Sequence, residues 1–150
     1  MALFMKPTRL LAPALGLLAL LAGGCASFYK DWDRARASQK RSIDVEGLWQ
    51  GTWRSEASGH HDLLQCIITR RDTEIYDARF HAKYHTVFTF NYTVPLTVQT
   101  TNGVSRFQGA ANLGWLAGGM YHYDGSASAT NFTSTYTSKY DHGVFEMTRP

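Results

Sequence analysis

From Val45 onward, large apolar side chains fall on alternate positions with polar ones between them, which is the period of strands that bury one face. Trp49, Gly51 and Trp53 alternate with Leu48, Gln50, Thr52 and Arg54. Tyr76, Ala78, Phe80, Ala82 and Tyr84 alternate with Ile75, Asp77, Arg79, His81 and Lys83. The pattern then carries Phe88, Phe90 and Tyr92, later Phe107, Gly109 and Ala111, then Tyr121 and Tyr123, and last Phe132, Ser134 and Tyr136. Helical spacing is weak along this stretch. Turn residues punctuate it at residues 55–59, 71–73, 101–103, 124–126 and 141–143, and Asn102-Gly103 is a favoured pair for a tight hairpin. Pro95 stands inside the apolar run of residues 92–98, and with no N–H to give a ladder it predicts either a bend or a break between two strands.

The expected fold is therefore all-β: about eight antiparallel strands with no helix between them, closed as an up-and-down barrel or folded as a sandwich. Closure is favoured because strands joined in order by tight turns meet most simply that way. The opposite face of each strand decides the surrounding solvent. Gln50, Thr52, Arg54, Asp77, Arg79, His81, Lys83, Thr89, Asn91, His122 and Asp124 point away from the aromatic face, whereas a transmembrane barrel needs an apolar outer band. A soluble barrel is expected.

The inward set is rich in tyrosine: Tyr76, Tyr84, Tyr92, Tyr121, Tyr123 and Tyr136 share the parity of the phenylalanines. A buried phenol without a partner costs roughly 1–3 kcal/mol. Either the barrel holds water or a ligand that meets these hydroxyls, or the rings lie inside with their oxygens at the rims. Gly109, Ala111, Gly119, Gly125, Ala127 and Ser134 face the early aromatic strands, an arrangement that suits interdigitated packing or a slot beside an aromatic wall. The candidate ligand-binding residues are Trp49, Trp53, Tyr76, Phe80, Tyr92, Tyr121, Tyr123 and Tyr136. Residues 113–119 form a glycine-rich corner with an apolar tip, a lid or partner contact, or else a turn whose Trp115 caps the barrel.

Charge and composition narrow the classes. The formal charge of +3 is concentrated ahead of the barrel, with Lys30, Arg34, Arg36, Lys40 and Arg41 crowded together, and acids nearly balance bases from Val45 on. Nucleic-acid binding would need those cations on the folded domain, so none is expected. Five cations next to a membrane anchor would instead either attract anionic head groups or keep a linker solvated. Six histidines are present, but His81 and His85 lie four apart, a span of ~13 Å on a strand, and His60 and His61 are neighbours in a turn, so no metal site or other cofactor is expected. No nucleophile elbow, zinc-protease helix or distinctive carboxylate pair is present, and the expected activity is non-enzymatic.

The first 25 residues have a different character. Lys6 and Arg9 precede an apolar run over residues 10–21, and Leu21-Ala22-Gly23-Gly24-Cys25 follows. The run is short of the ~20 residues needed to span a bilayer, and it contains Pro13 and Gly16. The layout is that of an export signal, and its ending resembles the lipobox of bacterial lipoproteins. That resemblance implies cleavage before Cys25 and a diacylglycerol thioether on its sulfur, with Ala22 standing where the family usually has leucine. It divides the chain into a signal peptide (1–24), a lipidated cysteine with a polar tether (25–44) and the barrel (45–150). Ala26 in place of aspartate implies the outer rather than the inner membrane, if the cell has both. Within the tether, Phe28 and Trp32 are four apart and could share one face of a short helix at the membrane surface, although a disordered spacer is the simpler expectation. With Cys25 lipidated, Cys66 has no partner for a disulfide and is expected to be a buried, inert thiol.

Glu46-Gly47-Leu48-Trp49 further resembles the Gly-x-Trp opening of calycin barrels, the lipocalin, fatty-acid-binding and avidin group. In that group the tryptophan packs across the closed end, and the resemblance implies an interior that takes a small ligand. The sequence thus points to an envelope-anchored lipoprotein whose barrel binds a small, partly apolar molecule or an envelope protein. A packed barrel acting through its surface is the alternative.

Overall fold

A computed structural model describes residues 26–38, 44–85 and 87–150. The expected signal peptide and Cys25 lie outside the described residues, as does the tether segment 39–43. Eight strands follow one another: β1 (Gly47–Ser55), β2 (His61–Arg70), β3 (Ile75–Tyr84), β4 (Phe88–Thr101), β5 (Val104–Asn112), β6 (Met120–Ala127), β7 (Asn131–Thr137) and β8 (His142–Thr148). Each pairs antiparallel with its sequence neighbour, and β8 returns to β1 to close the barrel. The closing seam depends on glycine. A Cβ at Gly51 would run into the Glu146 carbonyl, and one at Gly143 into the Arg54 carbonyl, so the two strands approach more closely than side chains allow.

The alternation read from the sequence holds around the barrel. Trp49, Tyr76, Phe80, Phe107, Tyr123, Phe132, Tyr136 and Phe145 are buried inside with Leu64, Cys66, Ile68, Val94 and Leu96. Two turns differ from expectation. Asp124-Gly125-Ser126 lies within β6, where Gly125 faces inward beneath the Phe107 ring and only a glycine leaves room for it. Residues 128–130 make that turn instead, with Ser128 Oγ accepting the Asn131 N–H. The last turn falls at residues 138–141, and His142 and Gly143 already belong to β8.

Pro95 does not break the strand, because it lies inside β4, which runs for fourteen residues. The Val98 N–H donates to Glu74, so even-numbered residues here bond toward β3 and odd-numbered ones toward β5. Pro95 therefore turns its nitrogen to the β5 side. The β4–β5 pairing stops at Leu96 opposite Gly109, where the next donor would have come from residue 95. Residues 88–94 pair with β3 alone, and the barrel wall is parted between β4 and β5 at that end.

The tether departs most from expectation. Residues 26–37 form a helix, α1, packed on the outer wall of β1 to β3 and not a loose spacer. Phe28 and Trp32 are buried against Leu48 and Ile67, with Ala35 beside them. Phe28 stacks on His81 at 4.8 Å, and Arg79 bonds to Asp31 at 2.6 Å and Ser27 at 2.8 Å. The physical reason is an apolar patch on the outward parity: Leu48 and Ile67 are partners across β1 and β2 and need a cover.

Candidate functional site

The two ends of the barrel are built differently. At the end where β1 begins, the Trp49 indole N–H donates to the Val45 carbonyl at 2.8 Å, and the Arg149 guanidinium lies 3.8 Å from its ring centroid. Arg149 also donates to the carbonyls of Glu46 and Asp44, both at 2.7 Å, which fixes the plug from outside. Phe132 tilts against Trp49 at 5.5 Å and stacks on Phe107 at 4.7 Å. The small residues of the later strands are filled here by aromatic rings. This end is closed.

The other end is a mouth ringed by residues 56–60, 85, 87, 113–119 and 138–141. It holds a cavity of about 640 Å³ walled by Trp53, Tyr84, Phe90, Tyr92, Tyr121, Tyr123, Tyr136 and Phe145, with the apolar corner of Trp115, Leu116 and Ala117 at its lip. Phe80 is buried below as the floor, 5.3 Å from Tyr92 and 5.4 Å from Phe145. The parted wall above Pro95 places Phe90 and Tyr92 on one side of this opening and the glycine-rich corner on the other. The volume matches what a small organic ligand needs.

Two of the phenols find partners at the rim. Burial pushes Tyr92 and Tyr123 well above the ordinary tyrosine range. Tyr121 donates to the Ala117 carbonyl at 2.8 Å and so holds the corner. Tyr136 donates to Asp141 at 3.2 Å, and burial, reinforced by the carboxylate charge, keeps it protonated above its usual range. Ser55 donates to the other oxygen of Asp141 at 2.6 Å, tying β1 to the last turn. Trp53 donates to the Lys83 carbonyl at 2.8 Å. His60 lies against Trp53, Tyr84 and His85, and its buried Nε2 has no hydrogen-bond partner among the described residues.

Of the residues singled out in the sequence, Trp53, Tyr92, Tyr121, Tyr123 and Tyr136 converge on the cavity. Trp49 and Tyr76 do not. Trp49 is the plug of the closed end, and Tyr76 lies at that same end with its hydroxyl on Asp44 at 3.1 Å and Arg70 over its ring. Phe80 supports the floor without lining the cavity. Sequence parity could not separate these positions, because it assigns a face and is silent on height along the barrel. Trp115 does not cap the barrel; its side chain is 86 % exposed. Tyr84, Phe90 and Phe145 were missed as lining residues, although the first two carried the inward parity. Cys66 is fully buried, and burial holds its thiol protonated.

What this arrangement offers is stacking surface with a few fixed polar groups: aromatic walls for a flat or apolar body, and the Asp141, Tyr136 and His60 side for a polar end. No family model matches this chain, and neither does any curated protein or solved structure.

Proposed function

We propose that this is a bacterial envelope lipoprotein, held through Cys25 in the outer membrane where the cell has one, whose barrel mouth binds a small, partly apolar molecule without transforming it. The observation that carries this reading is the aromatic cavity of about 640 Å³ at one end of an otherwise filled barrel. A purely structural barrel has no need of such a space, since a void between aromatic walls forfeits packing contacts. The hydroxyls of Tyr121 and Tyr136 are already partnered, so a ligand would be gripped chiefly by ring faces.

The test is binding of N-phenyl-1-naphthylamine, an apolar fluorescent probe, to the full chain purified in detergent. Ala82 lines the cavity, and Ala82→Phe should fill the mouth and weaken probe binding at least tenfold while leaving the thermal unfolding curve cooperative. Equal binding by both proteins would defeat the ligand reading. Mass spectrometry of the mature amino terminus tests the anchor separately, and an unmodified Cys25 would defeat it.

A further inference from the structure

Large apolar side chains stand in solvent at one end of this molecule. Val87 and Leu116 are each 82 % exposed, Trp115 86 %, Tyr140 70 %, Phe88 61 % and Phe90 51 %. They come from three separate connections, the β3–β4 hairpin, the β5–β6 corner and the β7–β8 turn, and all three lie on the mouth. Leu63, 58 % exposed, stands on the outer parity of β2 opposite Thr52. The closed end has a different surface: its β2–β3 turn is Arg71-Asp72-Thr73-Glu74 and its β4–β5 turn is Asn102-Gly103. Exposed apolar side chains gathered as a crown at one end of a barrel mark a contact surface.

The position of α1 says what that surface meets. The first residues of the helix sit at the height of His81: Tyr29 is 3.2 Å from its Nε2 and Phe28 stacks on its ring. From His81 to the rim at Tyr84 is three strand residues, or ~10 Å. One turn further along α1, Trp32 packs with Leu48 and Ile67, and Asp44 lies at the closed end, where its carboxylate holds Arg70 at 2.6 Å. The described helix begins at Ala26, so a lipid on the cysteine before it would be tied to the barrel through that helix, about 10 Å from the rim. A helix packed on the wall leaves no long spacer between lipid and barrel.

We infer that the mouth is a membrane-docking face, seated on the bilayer that holds the Cys25 lipid, with the cavity opening into lipid. The crown has the composition of an interfacial belt. Trp115 and Tyr140 are the ring types that rest at head-group depth, and the Lys139 ammonium 4.9 Å from the Tyr140 ring is placed to meet anionic head groups. Val87, Phe88 and Leu116 supply the apolar part that enters the acyl boundary. A ligand then reaches the cavity from the membrane and need not cross water. The inference rests on the lipid anchor proposed above and is independent of whether a ligand occupies the cavity.

The full chain is bound to vesicles of phosphatidylethanolamine and phosphatidylglycerol with brominated acyl chains, and its tryptophan emission is compared with that on non-brominated vesicles. Trp32 and Trp49 are buried and Trp53 is half-buried within the mouth, so Trp115, 86 % exposed, should carry the larger share of the bromine-sensitive emission. Trp115→Phe should remove at least half of the quenching with unchanged vesicle flotation, and Val87→Asp with Leu116→Asp should abolish the quenching of Trp115. Quenching that is absent, or unaltered by Trp115→Phe, overturns the docking, as does a crown buried between two copies that leaves Trp115 unquenched. Cys25→Ser keeps the two readings apart. Equal flotation of this variant and wild type, both quenched through Trp115, removes the anchor and retains the docking; flotation lost in Cys25→Ser with wild-type Trp115 unquenched does the reverse. Failure of both proteins to float overturns both.

Discussion

Two tryptophans four residues apart on β1 share the inward face and have opposite roles. Trp49 is fully buried, its indole N–H is satisfied by Val45, and its ring carries the Arg149 guanidinium. Removing it deletes a large buried side chain and leaves the guanidinium, already desolvated enough that its pKa is lowered, over an empty space. Trp49→Ala should therefore cost about 3–5 kcal/mol, the usual range for truncating a buried aromatic. Trp53 is half-buried at the mouth, and Trp53→Phe gives up mainly its bond to the Lys83 carbonyl, about 1 kcal/mol. Urea denaturation of the two variants checks the ratio. Equal losses would mean that the closed end is not the plug its geometry describes.

Pro95 controls how far the barrel wall is zipped. Pro95→Thr restores an N–H at a position that faces β5, and Ala110 is the next residue in register beyond the Leu96–Gly109 pair. The variant should extend the β4–β5 ladder by one bond and narrow the mouth. The added hydrogen bond is expected to raise stability by roughly 1 kcal/mol and the residue 95 amide to become protected from exchange. Hydrogen exchange followed by mass spectrometry reads the protection, and rapid exchange in that segment would count against the account of the parted wall. The same proline shows how legible the elements were. The missing donor was readable from the sequence, but whether it broke the strand depended on which neighbour it faced, and that is set by register. Likewise the four-residue spacing of Phe28 and Trp32 was visible, while the partner of that face was not. Leu48 was one exception in a polar parity and Ile67 lay within the apolar run of residues 63–68, and only the β1–β2 pairing puts them side by side. The tyrosines were recognisable as an inward set, yet their division between plug, floor and mouth is a matter of height along the barrel, which alternation does not encode.

At the scale of the whole molecule, the filled half and the open half meet at a layer of buried, protonated groups. Cys66 is fully buried, Tyr123 is buried and Tyr92 is partly so, and burial raises the pKa of each. The folded protein thus keeps protons that the unfolded chain releases, beginning near pH ~8.5 for the thiol and ~10 for the phenols. Stability should be flat with respect to these groups below that range and should fall as pH rises through it, because the unfolded state then binds fewer protons than the native one. Each fully protected group contributes a slope of up to about 1.4 kcal/mol per pH unit once its unfolded counterpart is ionised. Cys66→Ala should move the onset of the decline from about pH 8.5 toward 10. Urea midpoints across alkaline pH measure the slope, and phenolate absorbance measures its source: part of the signal from the eight tyrosines should appear only with the unfolding transition. If all eight ionise before the barrel unfolds, water reaches the Tyr92 and Tyr123 hydroxyls through the mouth, and the floor beneath the cavity is not sealed.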